Sequence, residues 1–178
     1  MNPELLWLIL TMGIGVLFTY VHLFDSSNTT SLVRPIPLKI WIPSMLLTVT
    51  AFIYMSIDWI WHKNEDSTVF GMFALFFVGA LLWAPMSADA VHRQEKTSSV
   101  FLALWLAAAG SIGLLVVSFR HVDDPWLIVA SSWFMVHHVF VDAILWWMRW
   151  HFYTEDRALF SIDEQVGGKV GYDNMEFI

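Results

Sequence analysis

Five apolar stretches follow one another along the chain, each close to the roughly 20 residues that a helix needs to cross a bilayer. They cover residues 3–24, 38–61, 69–88, 97–119 and 126–153, and are separated by the polar segments DSSNTTSLVRPIP, HKNEDST, DAVHRQEK and RHVDDP. The pattern predicts an all-α membrane protein, a five-transmembrane-helix bundle over residues 1–153 followed by a polar tail at 154–178. The first stretch holds only Glu4 near its start and lacks a basic leading region and a small-residue cleavage pattern, so it reads as a retained helix and not a removed signal. Pro35 and Pro37 stop any helix before the second stretch, and Pro43 falls in its first turns, where a missing amide is tolerated. Asp58 lies about one turn from the end of that stretch, and its carboxylate is expected to reach the interface. Pro85 should bend the end of the third stretch and free the carbonyl of Leu81.

The fifth stretch is the one with chemistry in it. WLIVASSWFMVHHVFVDAILWWMRWHFY carries His137, His138 and Asp142 near its middle. A charged side chain at a helix centre costs about 2.5–3.5 kcal/mol on insertion scales, so such residues face a bundle interior or a wet cavity. In α-helical geometry His138 and Asp142 stack one turn apart, and their stripe adds Ser131, Phe134, Met135, Leu145, Trp146 and Arg149. His137 then points about 100° away, with Trp133, Val141, Ile144 and Met148. The outer face falls to Val129, Val136 and Phe140, with Leu145 bordering both faces. Three functions suit the polar residues: a metal or haem site, a proton relay through His137, His138 and Asp142, or a polar anchor for a ligand. A buried hydrogen-bonded network with no chemistry is the bland reading. A di-metal carboxylate site would repeat Glu and His pairs on other helices, and none recurs. A bis-histidine haem needs a second histidine at depth, whereas His22, His62, His92, His121 and His151 all fall at or near stretch ends.

Composition narrows the class further. Of 178 residues, 57% are hydrophobic and 14% charged, outside soluble globular usage, so the lipid bilayer is the first partner. The net charge of -7, with nine scattered Lys and Arg, sets nucleic acid aside. No cysteine is present, which excludes disulfides, zinc-thiolate sites and cysteine nucleophiles. No nucleophile, metal pair or phosphate loop stands at a usable spacing, so an enzyme is the least supported class. With five spans the basic residues divide seven to two: Arg34, Lys39, Arg93, Lys96, Arg149, Arg157 and Lys169 against Lys63 and Arg120. The positive-inside rule then places the C-terminal tail in the cytoplasm and leaves the sequon at Asn28 unused.

Eleven Trp give a second pattern. Trp59, Trp83, Trp105, Trp133 and Trp146 could wall a cavity for a flat apolar ligand, although interfacial belts and core packing account for most such residues. The run from Arg149 to Leu159 fits a loose sterol-contact pattern, and simple anchoring explains it as well.

The order of these features resembles the translocator-protein or tryptophan-rich sensory protein family. The residues that carry the likeness are RPIPLKIWIP at Arg34 to Pro43, LWAP at Leu82 to Pro85, Trp105, and Trp133 with Asp142 in the place of a fifth-span tryptophan and asparagine. The chain departs from that pattern in its first loop, at Gly79 and Ala80 where an asparagine is expected, and in its histidine pair. The resemblance implies a cavity between spans for a tetrapyrrole- or sterol-like molecule, with sensing or transport as the output. Trp83, Trp133 and Asp142 are the transferable positions. Geometry adds His138, and Trp105 and Trp146 complete the candidate ligand-binding set. Two other readings stand beside it: a proton or ion pathway through the fifth helix, and a structural subunit of a larger membrane complex. The cofactor stays open, a tetrapyrrole or lipid included, and so does a homo-oligomer.

Overall fold

The computed structural model describes residues 1–25, 38–61, 67–93, 98–121, 123–145 and 147–148, and among these it is all-helical, with no strand. The helices are α1 (Pro3–Asp25), α2 (Leu38–Trp61), α3 (Ser67–Arg93), α4 (Ser98–Ser118) and α5 (Pro125–Val136), the last continued by a π-helical segment, His137–Leu145. Four are long and apolar enough to cross a membrane, over Ile42–Trp61, Ser67–Ser87, Ser99–Ser118 and Pro125–Leu145, while the apolar stretch of α1, Pro3–Thr19, is shorter. The 28–30 sequon, the prolines at 35 and 37, the basic and aromatic run at 149–159 and the tail at 154–178 lie outside the described residues.

Helices successive in the chain alternate in direction, while α1 and α3 pack in parallel, Gly13 facing Phe77 and Gly15 facing Leu81. The Asn2 amide donates to the Ile60 carbonyl at 2.8 Å, so the start of α1 lies against the end of α2. Ser44 meets His137 and Met55 meets Ser131, which makes α2 and α5 antiparallel. Ser118 meets Ser131 while Phe101 meets Trp147, and α4 therefore runs antiparallel to α5. Asp124 fixes where α5 begins: its carboxylate accepts from the Leu127 amide at 3.0 Å, and Pro125 supplies the pre-set first helical position.

The most extensive contact joins α3 to α4, and small residues make it. A Cβ on Gly79 would strike the backbone nitrogen of Ala107 and stand 2.6 Å from the Ala103 carbonyl. One on Gly110 would stand 2.5 Å from the Phe76 nitrogen. The two backbones touch because those side chains are missing, as expected where lipid offers no hydrophobic drive between helices and van der Waals contact must hold them. The small-residue patch 107–113 thus meets the glycine of the preceding helix. Gly71, read alongside Gly79 as a packing residue, has nothing within 4 Å.

Two expectations are corrected. The charged segment at 89–93 continues α3 and is not a loop, because polarity ends a membrane span without ending a helix, and no Gly or Pro intervenes. Asp58 does not reach outward: it is 7% exposed, near the end of α2 whose Ile60 carbonyl accepts from Asn2.

The apolar interior falls into two clusters. One gathers Leu5, Met55, Trp59, Phe73, Phe77, Leu127 and Phe134 from α1, α2, α3 and α5. The other gathers Trp83, Val100, Ala103, Leu104 and Ala108 from α3 and α4 against Val139 and Ala143 of the π-helical segment. Replacing Gly79 or Gly110 with Ala is expected to lower stability by about 1–3 kcal/mol or more through overpacking, with Gly71→Ala neutral, as measured by unfolding in detergent.

Candidate functional site

The π-helical winding of His137–Leu145 decides the site. A π-turn holds one more residue than an α-turn, so residues five apart come into line, and such segments recur at functional sites. His137 and Asp142 are five apart, His138 and Asp142 four, and the wider turn lets both imidazoles address one carboxylate. His137 Nε2 lies 3.4 Å and His138 Nε2 4.0 Å from the same oxygen, Asp142 Oδ2. The expectation that His137 points away from this face is therefore corrected. It is 1% exposed and faces α2, because the local helix is not an α-helix.

Across from it, α2 contributes a partner that sequence reasoning missed. Ser44 Oγ lies 2.7 Å from His137 Nδ1, and the Thr48 hydroxyl donates to the Ser44 carbonyl at 2.7 Å. Two buried hydroxyls four residues apart inside an apolar stretch were the available signal, since they mark one helix face. On the other imidazole, His138 Nδ1 stands 2.8 Å from the Phe134 carbonyl. A carbonyl only accepts, so Nδ1 carries the hydrogen and donates. The Nε2 of a neutral His138 then turns a lone pair toward Asp142. Two acceptors facing each other at 4.0 Å repel unless a proton sits on one of them. His137 is held from α2, with its Nδ1 2.7 Å from Ser44 Oγ and its Nε2 3.4 Å from Asp142 Oδ2.

The rings around His138 are aromatic. Its centroid is 4.3 Å from Phe134 and 4.8 Å from Phe76, and His137 stands edge-on to it at 5.2 Å. Phe52 adds to this group, 5.8 Å from Phe134 and 6.2 Å from Phe76. Beyond the phenylalanines is a separate polar cluster, in which Ser131 Oγ lies 2.7 Å from Ser118 Oγ and 3.1 Å from Met55 Sδ.

The site lies toward the face where α5 ends: Ser44 falls in the first half of α2, and His137, His138 and Asp142 fall in the segment that continues α5. Along α5 the helix faces otherwise fall as expected: Ser131 and Phe134 are buried, whereas Val129, Phe140 and Leu145 are exposed, with Val136 intermediate.

The tryptophans do not all gather at this site. Trp83 is buried in the cluster that contains Val139 and Ala143, beside the polar residues. Trp105 and Trp133, at 39% and 36% exposed, lie on the outer surface, and Trp59 packs edge-on against His121 at 5.1 Å. The side chain of Trp146 is outside the described residues. Among the described residues no three His, Asp or Glu are grouped to hold a metal ion.

Fold and site together define a protein that is all-helical over its described residues, with four helices long and apolar enough to cross a membrane and a His-Asp-His cluster in its interior. No protein-family model, curated protein or solved structure matches the chain. Removal of the Ser44 hydroxyl by Ser44→Ala leaves His137 Nδ1 buried without its partner, with an expected stability loss of about 1–3 kcal/mol. Nitrogen NMR of the histidine rings should find His138 protonated at Nδ1 in wild type and in this variant alike.

Proposed function

We propose that this chain is a five-span integral membrane protein that moves protons, with the Ser44, His137, Asp142 and His138 network as its proton-carrying site. One observation carries the reading: both histidine Nε2 atoms converge on one oxygen of Asp142, inside an apolar bundle. Imidazole is the side chain suited to take up and release a proton near neutral pH, and intramembrane ionisable groups mark proton pathways. His138 Nε2 and Asp142 Oδ2, 4.0 Å apart, exchange a proton when the side chains close or a water bridges them. Ser44 extends the network onto a second helix, which one His-Asp pair on one helix could not do alone.

A second reading is favoured by the wall beside the site. Trp83 and the half-buried Met45, Met86 and Met135 lie in one apolar cluster with Val139 and Ala143. Methionine adapts to irregular ligands, so a flat hydrophobic molecule could lie there with its polar end toward Asp142. This is the ligand class that the resemblance to the translocator-protein family implies.

Proteoliposome flux separates the two. In the proton reading, His138→Gln and Asp142→Asn each abolish proton flux while the protein stays folded, since both changes keep volume and hydrogen bonding, and Trp83→Ala leaves flux largely intact. Retained flux in Asp142→Asn, with saturable binding of a tetrapyrrole or sterol that Trp83→Ala weakens, would move the assignment to the ligand reading.

The orientation belongs to the same proposal. The seven to two division of basic residues puts the face where α5 ends in the cytoplasm. A reporter fused after Ile178 should be active on the cytoplasmic side, and Asn28 should carry no glycan. Activity only on the opposite side reverses the assignment.

A further inference from the structure

The proton site lies toward the face where α5 ends, with Ser44 in the first half of α2 and Asp142 in the segment that continues α5. On the side of that site toward the start of α5 stands a group of rings: Phe134 and Phe76 against His138 at 4.3 and 4.8 Å, with Phe52 5.8 Å from Phe134. Phe76 and Phe134 are buried, and Phe73 and Phe77 pack behind them. The next fully buried hydroxyls, Ser131 of α5 and Ser118 of α4, lie beyond these rings and bond to each other and to carbonyls one turn back on their own helices, at 2.7–2.8 Å. Among the described residues, neither hydroxyl hydrogen-bonds to a histidine.

A proton crosses a gap by hydrogen-bonded groups or water, and a short apolar constriction that sheds water stops it. Resting on the proton reading above, we propose that Phe52, Phe76 and Phe134 form an apolar gate that seals the His-Asp site from the face where α5 begins. The site loads from the face where α5 ends. His138 touches both the carboxylate and the gate, so an added proton places a cation beside the Phe76 and Phe134 rings, an attraction of the cation–π kind. Protonation and the gate are coupled through this contact. Net transport then requires the rings to part, which lets the proton continue toward Ser131 and Ser118.

The chain holds no cysteine, which makes sided labelling direct. Ser44→Cys and Ser131→Cys each change one atom and place a thiol on either side of the rings. In oriented proteoliposomes, a membrane-impermeant maleimide is expected to label Ser44→Cys only from the face where α5 ends. Ser131→Cys is expected to resist that reagent from that face. Adding Phe134→Ala to Ser44→Cys should permit labelling from both faces, and Phe134→Leu, which keeps the bulk, should not. Labelling of Ser44→Cys from both faces with Phe134 intact, from the opposite face alone, or from neither would overturn the gate. So would labelling of Ser131→Cys from the face where α5 ends. These outcomes are independent of the flux assay: loss of flux in Asp142→Asn with two-sided labelling removes the gate and keeps the proton reading, and one-sided labelling with unchanged flux does the reverse.

Discussion

A carboxyl group and two imidazoles in an apolar helical bundle have to find their compensation inside the protein, because hydrocarbon offers none. The surroundings of Asp142 follow from that constraint. Two ring nitrogens face one of its oxygens, one imidazole is held by a serine hydroxyl from α2 and the other by a carbonyl one turn back on α5. The π-helical winding is what makes the set fit, since an α-helix would bring one histidine to the carboxylate and turn the other away. The wide turn gives up α-helical hydrogen-bond geometry, and the network it assembles offsets that loss.

The scaffold that holds this network is organised by close backbone approach more than by large side chains. Gly79 and Gly110 bring α3 and α4 into backbone contact. That pair presents Trp83, Ala103 and Ala108 to Val139 and Ala143, so the tight crossing also backs the π-helical segment. On the other side, α2 reaches α5 at three levels, through Ser44 at the site, Met55 against Ser131 and Tyr54 toward Asp124. The last contact is long, 3.4 Å, and sits where α5 is already capped by Asp124. The site is therefore braced from both flanks, with aromatic rings on the side toward the start of α5.

This placement gives the molecule a polarity that the helices alone do not have. Polar groups occur toward both ends of α5, and the phenylalanines separate them. A proton-carrying site at one end of such a barrier needs a change in ring packing before it can exchange with the other. His138 is the residue through which such a change would be linked to charge, as it contacts Asp142 and both rings.

The sequence by itself determined the helices and the inward face of much of α5. Long apolar stretches leave little choice but helix, and the spacing of Ser131 and Phe134 against Val129 and Phe140 sets the facing of a regular helix from local pattern alone. It also singled out His137, His138 and Asp142, because ionisable residues are rare at such depth. Tertiary structure decided the rest. Whether nine residues wind as α or π depends on what lies opposite them, so the facing of His137 could not be read from a period of 3.6. Ser44 is distant in sequence and became a partner only when α2 docked antiparallel. Asp58 is buried although it lies near the end of α2, and Trp105 and Trp133 look outward, the one from α4 and the other from α5. These outcomes rest on contacts between helices, and a pattern along one helix carries the direction of its own side chains but not the identity of what they meet.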